Sequence, residues 1–210
     1  GLLNYNRLRG KAFFKSATYL PNICAVIAMG IIFSMLFEKN TGLINEVIFA
    51  MGGNKVDWLT GTRFSKIPVI ALNVWRNTPW FTMILLSGLL NISPEYYEAA
   101  KVDGANAVQR FFKITLPYML YVTTPYLIVT FTGNVNNFNI IYLLSGGDPV
   151  TDLASTAGKT DLLVTWLYKL TIDKQYYNIG AVIGILTFII LAVGALLTYR
   201  NSKSYKEGGI

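Results

Sequence analysis

The sequence predicts an all-α fold, a polytopic bundle of transmembrane helices, on the strength of three observations. Only 14% of the 210 residues are charged, whereas about a quarter are charged in a typical soluble domain. The chain contains four mainly apolar runs whose lengths approach the roughly 20 residues that a helix needs to cross the hydrocarbon layer. Lysine and arginine are also concentrated in alternate connecting segments, the pattern that orients helices in a membrane.

The four predicted spans differ in how apolar they are. They cover residues 20–37, 67–92, 118–144 and 179–199. The second is interrupted by Arg76, Asn77 and Pro79, and the third contains four asparagines near its middle, whereas the fourth carries no charge. A further amphipathic segment, 161–171, is too short to span, so we expect it to lie at the membrane interface or to pack on the bundle.

The positive-inside rule predicts that the N-terminal stretch, the loop between the second and third spans, and the C-terminal tail are cytoplasmic. Their ten basic residues are Arg7, Arg9, Lys11, Lys15, Lys101, Arg110, Lys113, Arg200, Lys203 and Lys206. These segments hold four acidic residues, whereas the opposite loops, 38–66 and 145–178, hold seven acidic and seven basic residues. The formal net charge of +7 therefore reflects membrane topology, and no nucleic-acid partner is expected.

The composition excludes several kinds of site. The chain has no histidine and one cysteine, Cys24, so a metal centre ligated by His or Cys, an internal disulfide and a His-dependent triad are all excluded within it. It also lacks the G-x-x-x-x-G-K-[ST] segment that cradles nucleotide phosphates. We therefore expect a protein that is not itself an enzyme and that holds no cofactor.

We expect the 210 residues to form a single transmembrane domain, the C-terminal part of a longer chain. The sequence begins with Gly1, and residues 1–5 contain neither the charged segment nor the cleavage site of a signal peptide. Further membrane spans are therefore expected upstream of Gly1.

The loop between the second and third spans, residues 93–117, predicts a helix, a turn and a second helix on the cytoplasmic face. Ser93 followed by Pro94 is typical of a helix N-cap and its first helical position. Gly104 can adopt the left-handed backbone conformation that ends such a helix. We expect the second helix over 105–114, stopping before the next proline.

This loop resembles the EAA loop of the membrane subunits of binding-protein-dependent ABC importers. The family pattern is Glu-Ala-Ala, three residues, Gly, nine residues, Ile, one residue, Leu-Pro. It is matched here by Glu98, Ala99, Ala100, Gly104, Ile114, Leu116 and Pro117. The resemblance implies a coupling helix held in a cleft of an ATP-hydrolysing subunit, with a charged contact from Glu98 and a backbone role for Gly104.

Two stripes of polar side chains are predicted at membrane depth. Spaced for one helix face, they are Asn73, Arg76, Asn77 and Trp80 in the second span and Thr130, Asn134 and Asn137 in the third. Amides hydrogen-bond hydroxyl groups in both directions, an indole ring can stack on a pyranose, and neither stripe contains an acid. A sugar substrate is therefore expected, unless the amides serve only to join helices. Pro79, Gly133 and Asn134 would permit a break in helix geometry.

The order of features over residues 9–199 is similar to that of the larger membrane subunit in the maltose/maltodextrin subfamily of these importers. The segments that match in order are RGKAFF, NVWRNTPWFTMILLSGLL, FFKITLP, NVNNF and AGKTDLLVTWLYKL. The resemblance implies a malto-oligosaccharide cavity that contains Asn73, Trp80, Asn134 and Asn137. Three residues depart from the subfamily pattern: Arg76 and Asn77 replace an apolar residue and a glycine, and Gly133 replaces an aromatic residue.

The resemblance also implies partners and a location. The partners are a second, related permease subunit, two subunits that bind ATP and Mg, an extracytoplasmic sugar-binding protein, the oligosaccharide and membrane lipid. The chain would be a multi-pass protein of the cell membrane, with the coupling loop and the C-terminus in the cytoplasm. Residues 43–49, Trp58 and residues 145–149 either contact the binding protein or are plain connectors.

Three alternatives stay open. The importer could take up another oligosaccharide. A secondary transporter driven by an ion gradient would need an ionisable pair at membrane depth, where only Arg76 is found. An intramembrane enzyme would need a nucleophile with a base, or a metal site, and the composition offers neither.

Overall fold

The structure is a computed structural model, which describes residues 11–151 and 156–201. Its helices are α1 (Lys11–Ile23), α2 (Val26–Leu36), α3 (Leu43–Ala50), α4 (Lys66–Leu90), α5 (Pro94–Val102), α6 (Ala107–Arg110), α7 (Leu116–Val135), α8 (Phe138–Ser145), α9 (Leu163–Tyr168) and α10 (Tyr177–Asn201), with π-helical turns at Phe111–Thr115 and Lys169–Asp173. Within the described residues no strand forms beyond one isolated bridge between Val150 and Gly158. The all-α prediction is therefore confirmed. Several residues behind the orientation prediction lie outside the described residues: Arg7, Arg9, Asp152, Lys203, Lys206 and Glu207.

The chain divides into two compact units. The first is formed by the described residues within Gly1–Trp80 and Val135–Ile185, and the second by those within Phe81–Asn134 and Leu186–Ile210. Helices α4 and α10 each contribute residues to both.

The core of the first unit is built by three helices that meet through apolar side chains. Met29 of α2, Leu72 of α4, and Ile140 and Leu144 of α8 are all buried and form one cluster. Removing such side chains from water is the main favourable term in folding, roughly 25 cal/mol for each Å² of apolar surface. The cluster therefore fixes α8 against the first half of α4.

The segment after α2 is organised around one buried amide, that of Asn45, which is fully buried. Its Nδ2 donates to the carbonyl oxygens of Glu38, Lys39 and Val56 at 3.2, 3.0 and 2.8 Å. Its Oδ1 accepts from the Val56 N–H and from Trp58 Nε1, both at 3.0 Å. We call these contacts the Asn45 hub. Because a buried polar group is costly unless it is paired, the hub holds the connection between α2 and α4 in one conformation.

The carboxylate of Glu38 caps the turn at the start of the connection between α2 and α4. Glu38 accepts hydrogen bonds from the backbone N–H and the hydroxyl of Thr41 and from the Asn40 N–H. The hydrogen bonds from Thr41, above all the one from its backbone N–H, hold the pKa of the Glu38 carboxyl below its usual value. The turn is therefore capped by an ionised group at neutral pH.

The segment after α8 is held by a buried ion pair. Lys169 Nζ lies 2.9 Å from Asp161 Oδ2, and the side chains are 16% and 3% exposed. The same oxygen accepts from the Gly158 N–H at 2.7 Å. Helix α9 packs on α8 through the rings of Tyr168 and Phe138, whose centroids are 5.0 Å apart. Residues 161–171 therefore pack on α8, as one of the two expectations for this segment has it, and a position at the membrane interface stays a prediction.

In the part of the chain that the structure describes, two helical stretches are long and apolar enough to cross a membrane, residues 107–145 and Tyr177–Asn201. The pair α1–α2 makes a third if it counts as one span, although its halves are bent by 103°. The predicted first span, 20–37, is thus not one straight helix, because Pro21 weakens the last turn of α1 and Ala25 is extended. Helix α4 is long enough to cross a membrane, at 25 residues, but its polar residues lower its mean hydropathy, so it is not one of these stretches. The number of four spans stays a prediction.

Candidate functional site

Three of the predicted site residues form one hydrogen-bonded cluster in the first unit, which we call the amide triad. Asn77 Nδ2 donates to Asn73 Oδ1 at 2.8 Å and also to the Asn73 carbonyl at 2.8 Å. Asn137 Nδ2 donates to the same Asn73 Oδ1 at 3.2 Å. The triad therefore joins α4 to the start of α8 through amides alone.

The core sets the position of the triad. On α4, the buried Pro68, Leu72 and Pro79 share one face. Asn73 lies about a third of a turn from that face and Asn77 nearly half a turn from it, since each residue advances a helix by about 100°. On α8, Ile140 and Leu144 pack in the same core as Leu72. Asn73 is thus placed beside a packed apolar cluster, and Asn77 lies farther around the helix.

The break between α7 and α8 creates the third member of the triad. Asn137 is the N-cap of α8, and its Oδ1 accepts from the Ile140 N–H at 3.4 Å. Its backbone, at φ −78° and ψ 80°, is not helical. Asparagine is favoured at such caps because its side chain replaces a missing backbone partner. The predicted break does occur, but at Asn136 and Asn137, whereas Gly133 and Asn134 stay helical.

The predicted stripe of Thr130, Asn134 and Asn137 on one continuous helix is wrong. Helix α7 ends at Val135, so Asn137 is not in register with the residues before the break. Asn134 belongs to the second unit, where its Nδ2 donates to the Thr130 carbonyl at 2.9 Å. Thr130 and Asn134 are therefore linked within α7.

The other two predicted residues of α4, Arg76 and Trp80, differ in exposure. The Trp80 ring is 45% exposed, which leaves an aromatic face for a ligand. Arg76 is half-buried, and within the described residues its Nε is buried without an acceptor and no acid forms an ion pair with it. The neighbouring Trp75 tilts against Phe33, with ring centroids 5.4 Å apart.

The loop over residues 93–117, in the second unit, begins as predicted. Ser93 is the N-cap of α5, Pro94 is at its first turn, and Ser93 Oγ accepts from the Glu95 N–H at 3.4 Å. Helix α5 ends in a Schellman arrangement: the Ala105 N–H donates to the Ala100 carbonyl at 2.8 Å, and the Gly104 N–H donates to the Lys101 carbonyl at 3.0 Å. Gly104 has a φ of +77°, the left-handed conformation that the pattern predicts.

The second helix of the loop departs from prediction at its end. It begins with a capping box, in which the side chains of Asn106 and Gln109 each accept from the other residue's N–H at 2.8 and 2.9 Å. It does not stop before Pro117 but continues through the Phe111–Thr115 π-turn into α7, with the Leu116 N–H donating to the Phe111 carbonyl. A π-turn moves the donor to the carbonyl five residues back, which relieves the usual clash of a proline ring inside a helix.

One contact that the sequence did not predict stiffens the loop. The hydroxyls of Tyr97 and Thr115 are hydrogen-bonded at 2.8 Å, which ties α5 to the π-turn. Of the residues that match the family pattern, Glu98, Ala99, Gly104 and Pro117 are exposed, and Ala100, Ile114 and Leu116 are half-buried. The loop therefore presents Glu98 outward from a backbone that is braced on its inner side.

Comparison with known proteins identifies the family of this chain. The model of the family described as binding-protein-dependent transport system inner membrane component matches residues 2–204. Similar proteins include the galactooligosaccharides transport system permease protein GanP of Bacillus subtilis (strain 168), 37% identical over 98% of this chain and 49% of its own length. The maltodextrin transport system permease protein MdxF of the same organism is 32% identical over 97% of this chain and 48% of its own length.

The maltose/maltodextrin transport system permease protein MalF of Escherichia coli (strain K12) is 38% identical over 96% of this chain and 40% of its own length. The chain thus spans less than half the length of these curated relatives. A solved structure of a bacterial alginate ABC transporter, in complex with an alginate pentasaccharide-bound periplasmic protein, has the same fold, with a TM-score of 0.82 and 24% identity over 96% of this chain and 68% of that chain. The chain therefore belongs to the family of inner membrane components of binding-protein-dependent transport systems.

Proposed function

We propose that this chain is part of a membrane-spanning permease subunit of an ATP-driven ABC importer that takes up oligosaccharides from an extracytoplasmic binding protein. Membership of the transport family supports the importer. The amide triad is the observation that supports a sugar as the substrate. Neutral amides that are linked to one another at membrane depth can exchange partners with sugar hydroxyls without leaving a charge unpaired.

Within that class we propose malto-oligosaccharides. Relatives that align over nearly the whole chain are named for maltose and maltodextrin transport. A galactooligosaccharide is the second candidate, because a relative of equal similarity is named for that substrate. Both sugars offer pyranose rings and hydroxyls but no charge, in keeping with the absence of Asp and Glu from the two predicted polar stripes.

The triad suggests how the sugar is held. Its longest bond, 3.2 Å from Asn137 to Asn73, joins two different helices. A hydroxyl group that accepts from Asn137 and donates to Asn73 would replace this bond at little cost, since it satisfies both amides. The exposed ring of Trp80, on the polar face of α4, would then stack on the apolar face of a sugar ring.

The loop over residues 93–117 suggests how ATP hydrolysis reaches the site. We place it on the cytoplasmic side, as the basic residues predict, docked on an ATP-binding subunit with Glu98 at the contact. Its tight turn and its brace by Tyr97 and Thr115 let it move as one body with α7, a hinge-type transmission. A second permease subunit would provide the other half of the pathway.

Alanine at Asn137 is expected to weaken sugar recognition while sparing basal ATP hydrolysis. Loss of one hydrogen bond to a neutral ligand, about 1.4 kcal/mol, raises the half-saturating sugar concentration about tenfold. The measurement is sugar-stimulated ATPase activity of the importer, purified with its natural partners, over a panel of malto- and galactooligosaccharides from two to seven rings. Asn134→Ala, tested beside it, shows whether the second unit also contributes.

The control is Asn136→Ala, which removes an exposed amide from the same break. An equal loss of basal and stimulated hydrolysis in Asn137→Ala would show a folding role and contradict the sugar site. Transport that persists in vesicles without nucleotide would instead favour a secondary transporter.

A further inference from the structure

A groove opens between the two helices of the loop over residues 93–117, and we call it the loop groove. It has a volume of about 420 Å³. Small residues, Ala100, Gly104 and Ala105, line one wall, and Arg110 and Lys113 line the other. A Cβ added to Gly104 would meet no atom within 4 Å, so this wall is open. The groove can therefore admit a side chain from outside the loop.

The groove is lined by an arginine, Arg110, one of whose buried donors has no partner among the described residues. Arg110 is half-buried, and its Nε is buried without an acceptor. Asp103 also lines the groove, yet among the described residues it forms no ion pair with Arg110 or Lys113. An unpaired buried donor costs free energy that a suitable acceptor would recover. The loop groove therefore has one surplus positive charge and one buried donor that has no acceptor among the described residues.

The two faces of the loop differ in net charge. Glu95, Glu98 and Lys101 are exposed on α5 and do not line the groove, which gives that face a net negative charge. Asp103, Arg110 and Lys113 line the groove, which gives it a net positive charge. A surface that fits this loop must therefore offer positive charge to the outer side of α5 and negative charge to the groove.

We propose that the loop groove receives an acidic side chain, Asp or Glu, of the ATP-hydrolysing subunit, with its carboxylate bound by Arg110 and assisted by Lys113. This inference rests on the proposed function, which makes that subunit the surface that meets the loop. Arg110 suits the role because a guanidinium binds a carboxylate through two parallel hydrogen bonds. The contact would grip the loop from its inner side while Glu98 contacts the same partner from the outer side.

The experiment measures the affinity of the ATP-hydrolysing subunit for the membrane subunits, reconstituted in phosphatidylcholine nanodiscs, as a function of NaCl concentration. Arg110→Gln is expected to raise the dissociation constant about tenfold at low salt, the loss of one charge-assisted pair. It is also expected to flatten the dependence of affinity on salt, because a charge at the interface has been removed. Arg110→Lys should restore the salt dependence but only part of the affinity.

The control is Lys101→Gln, which makes the same change of charge in the same loop at a residue that does not line the groove. Equal effects of Arg110→Gln and Lys101→Gln on affinity and salt dependence would overturn the inference. So would a lowered melting temperature of the membrane subunits alone in Arg110→Gln, which would show a folding role.

Two further measurements test whether the groove binds a phosphate group and whether the membrane subunits bind an ATP-hydrolysing subunit at all. Inorganic phosphate, or nanodiscs with phosphatidylglycerol, should not stabilise the wild-type membrane subunits more than Arg110→Gln. If either does, the occupant is a phosphate group and the inference is overturned. If the wild-type subunits bind no ATP-hydrolysing partner at all, the proposed function fails together with this inference.

Discussion

Valine in place of Gly104 is expected to lower the transport rate about tenfold or more while ATP hydrolysis continues. Gly104 has a φ of +77°, where a side chain costs about 1–2 kcal/mol and a β-branched one is least tolerated. The added Cβ would meet no atom within 4 Å, so the penalty comes from the backbone alone. The turn would relax, and α5 would lose its fixed direction relative to the helix that continues into α7.

The measurement is transport and ATP hydrolysis by the same preparation of reconstituted vesicles, reported as sugar moved for each ATP hydrolysed. Gly104→Asn is the matched control, because asparagine tolerates the left-handed conformation better than other side chains. It should keep most of the coupling that valine destroys. An unchanged ratio in Gly104→Val would contradict a mechanical role for this turn.

Alanine in place of Asn45 is expected to open the connection between α2 and α4. The change removes a fully buried amide and leaves the Trp58 indole N–H, the Val56 N–H and three carbonyl groups without their partner. An unpaired buried group costs about 1–3 kcal/mol. For several such groups we expect roughly 3 kcal/mol, a little more than a hundredfold rise in the population of the locally opened state.

Amide hydrogen exchange over residues 38–64 measures this opening in the detergent-solubilised protein. Asn54→Ala is the control, because Asn54 is an exposed asparagine of the same connection. The amides of Asn54→Ala over residues 38–64 should exchange at the wild-type rate. Exchange in Asn45→Ala within threefold of the wild-type rate would show that the Asn45 hub contributes little.

Local chemistry explains which parts of the fold were predictable. The start of α5 follows from two adjacent residues, Ser93 and Pro94, and its end follows from Gly104, so each signal lies within one turn of its effect. The apolar runs likewise predict helices because burial in lipid requires every backbone group to be paired within the segment. The all-α fold could therefore be predicted from composition and short patterns.

The candidate site was predictable in composition but not in geometry. A helix-face rule keeps Asn137 on the same helix as Asn134. In the structure Asn137 instead caps a new helix and donates to Asn73, which also accepts from Asn77. Which asparagine caps a new helix depends on where α8 packs against Leu72, a contact between residues far apart in sequence. The same reason hides the Asn45 hub, whose partners lie 6 to 13 residues away along an irregular connection.

The π-turn over Phe111–Thr115 has a consequence for the direction in which the following helix faces. A π-turn accommodates one more residue than an α-helical turn would, and one residue corresponds to about 100° of rotation around the axis. Side chains after the turn therefore point in a different direction around the helix axis than they would after an uninterrupted α-helix. Deleting a single residue there would rotate every later side chain of α7 around its axis, including those of Leu116 and Pro117, while the signature residues before the turn, Glu98 to Gly104, stayed in place.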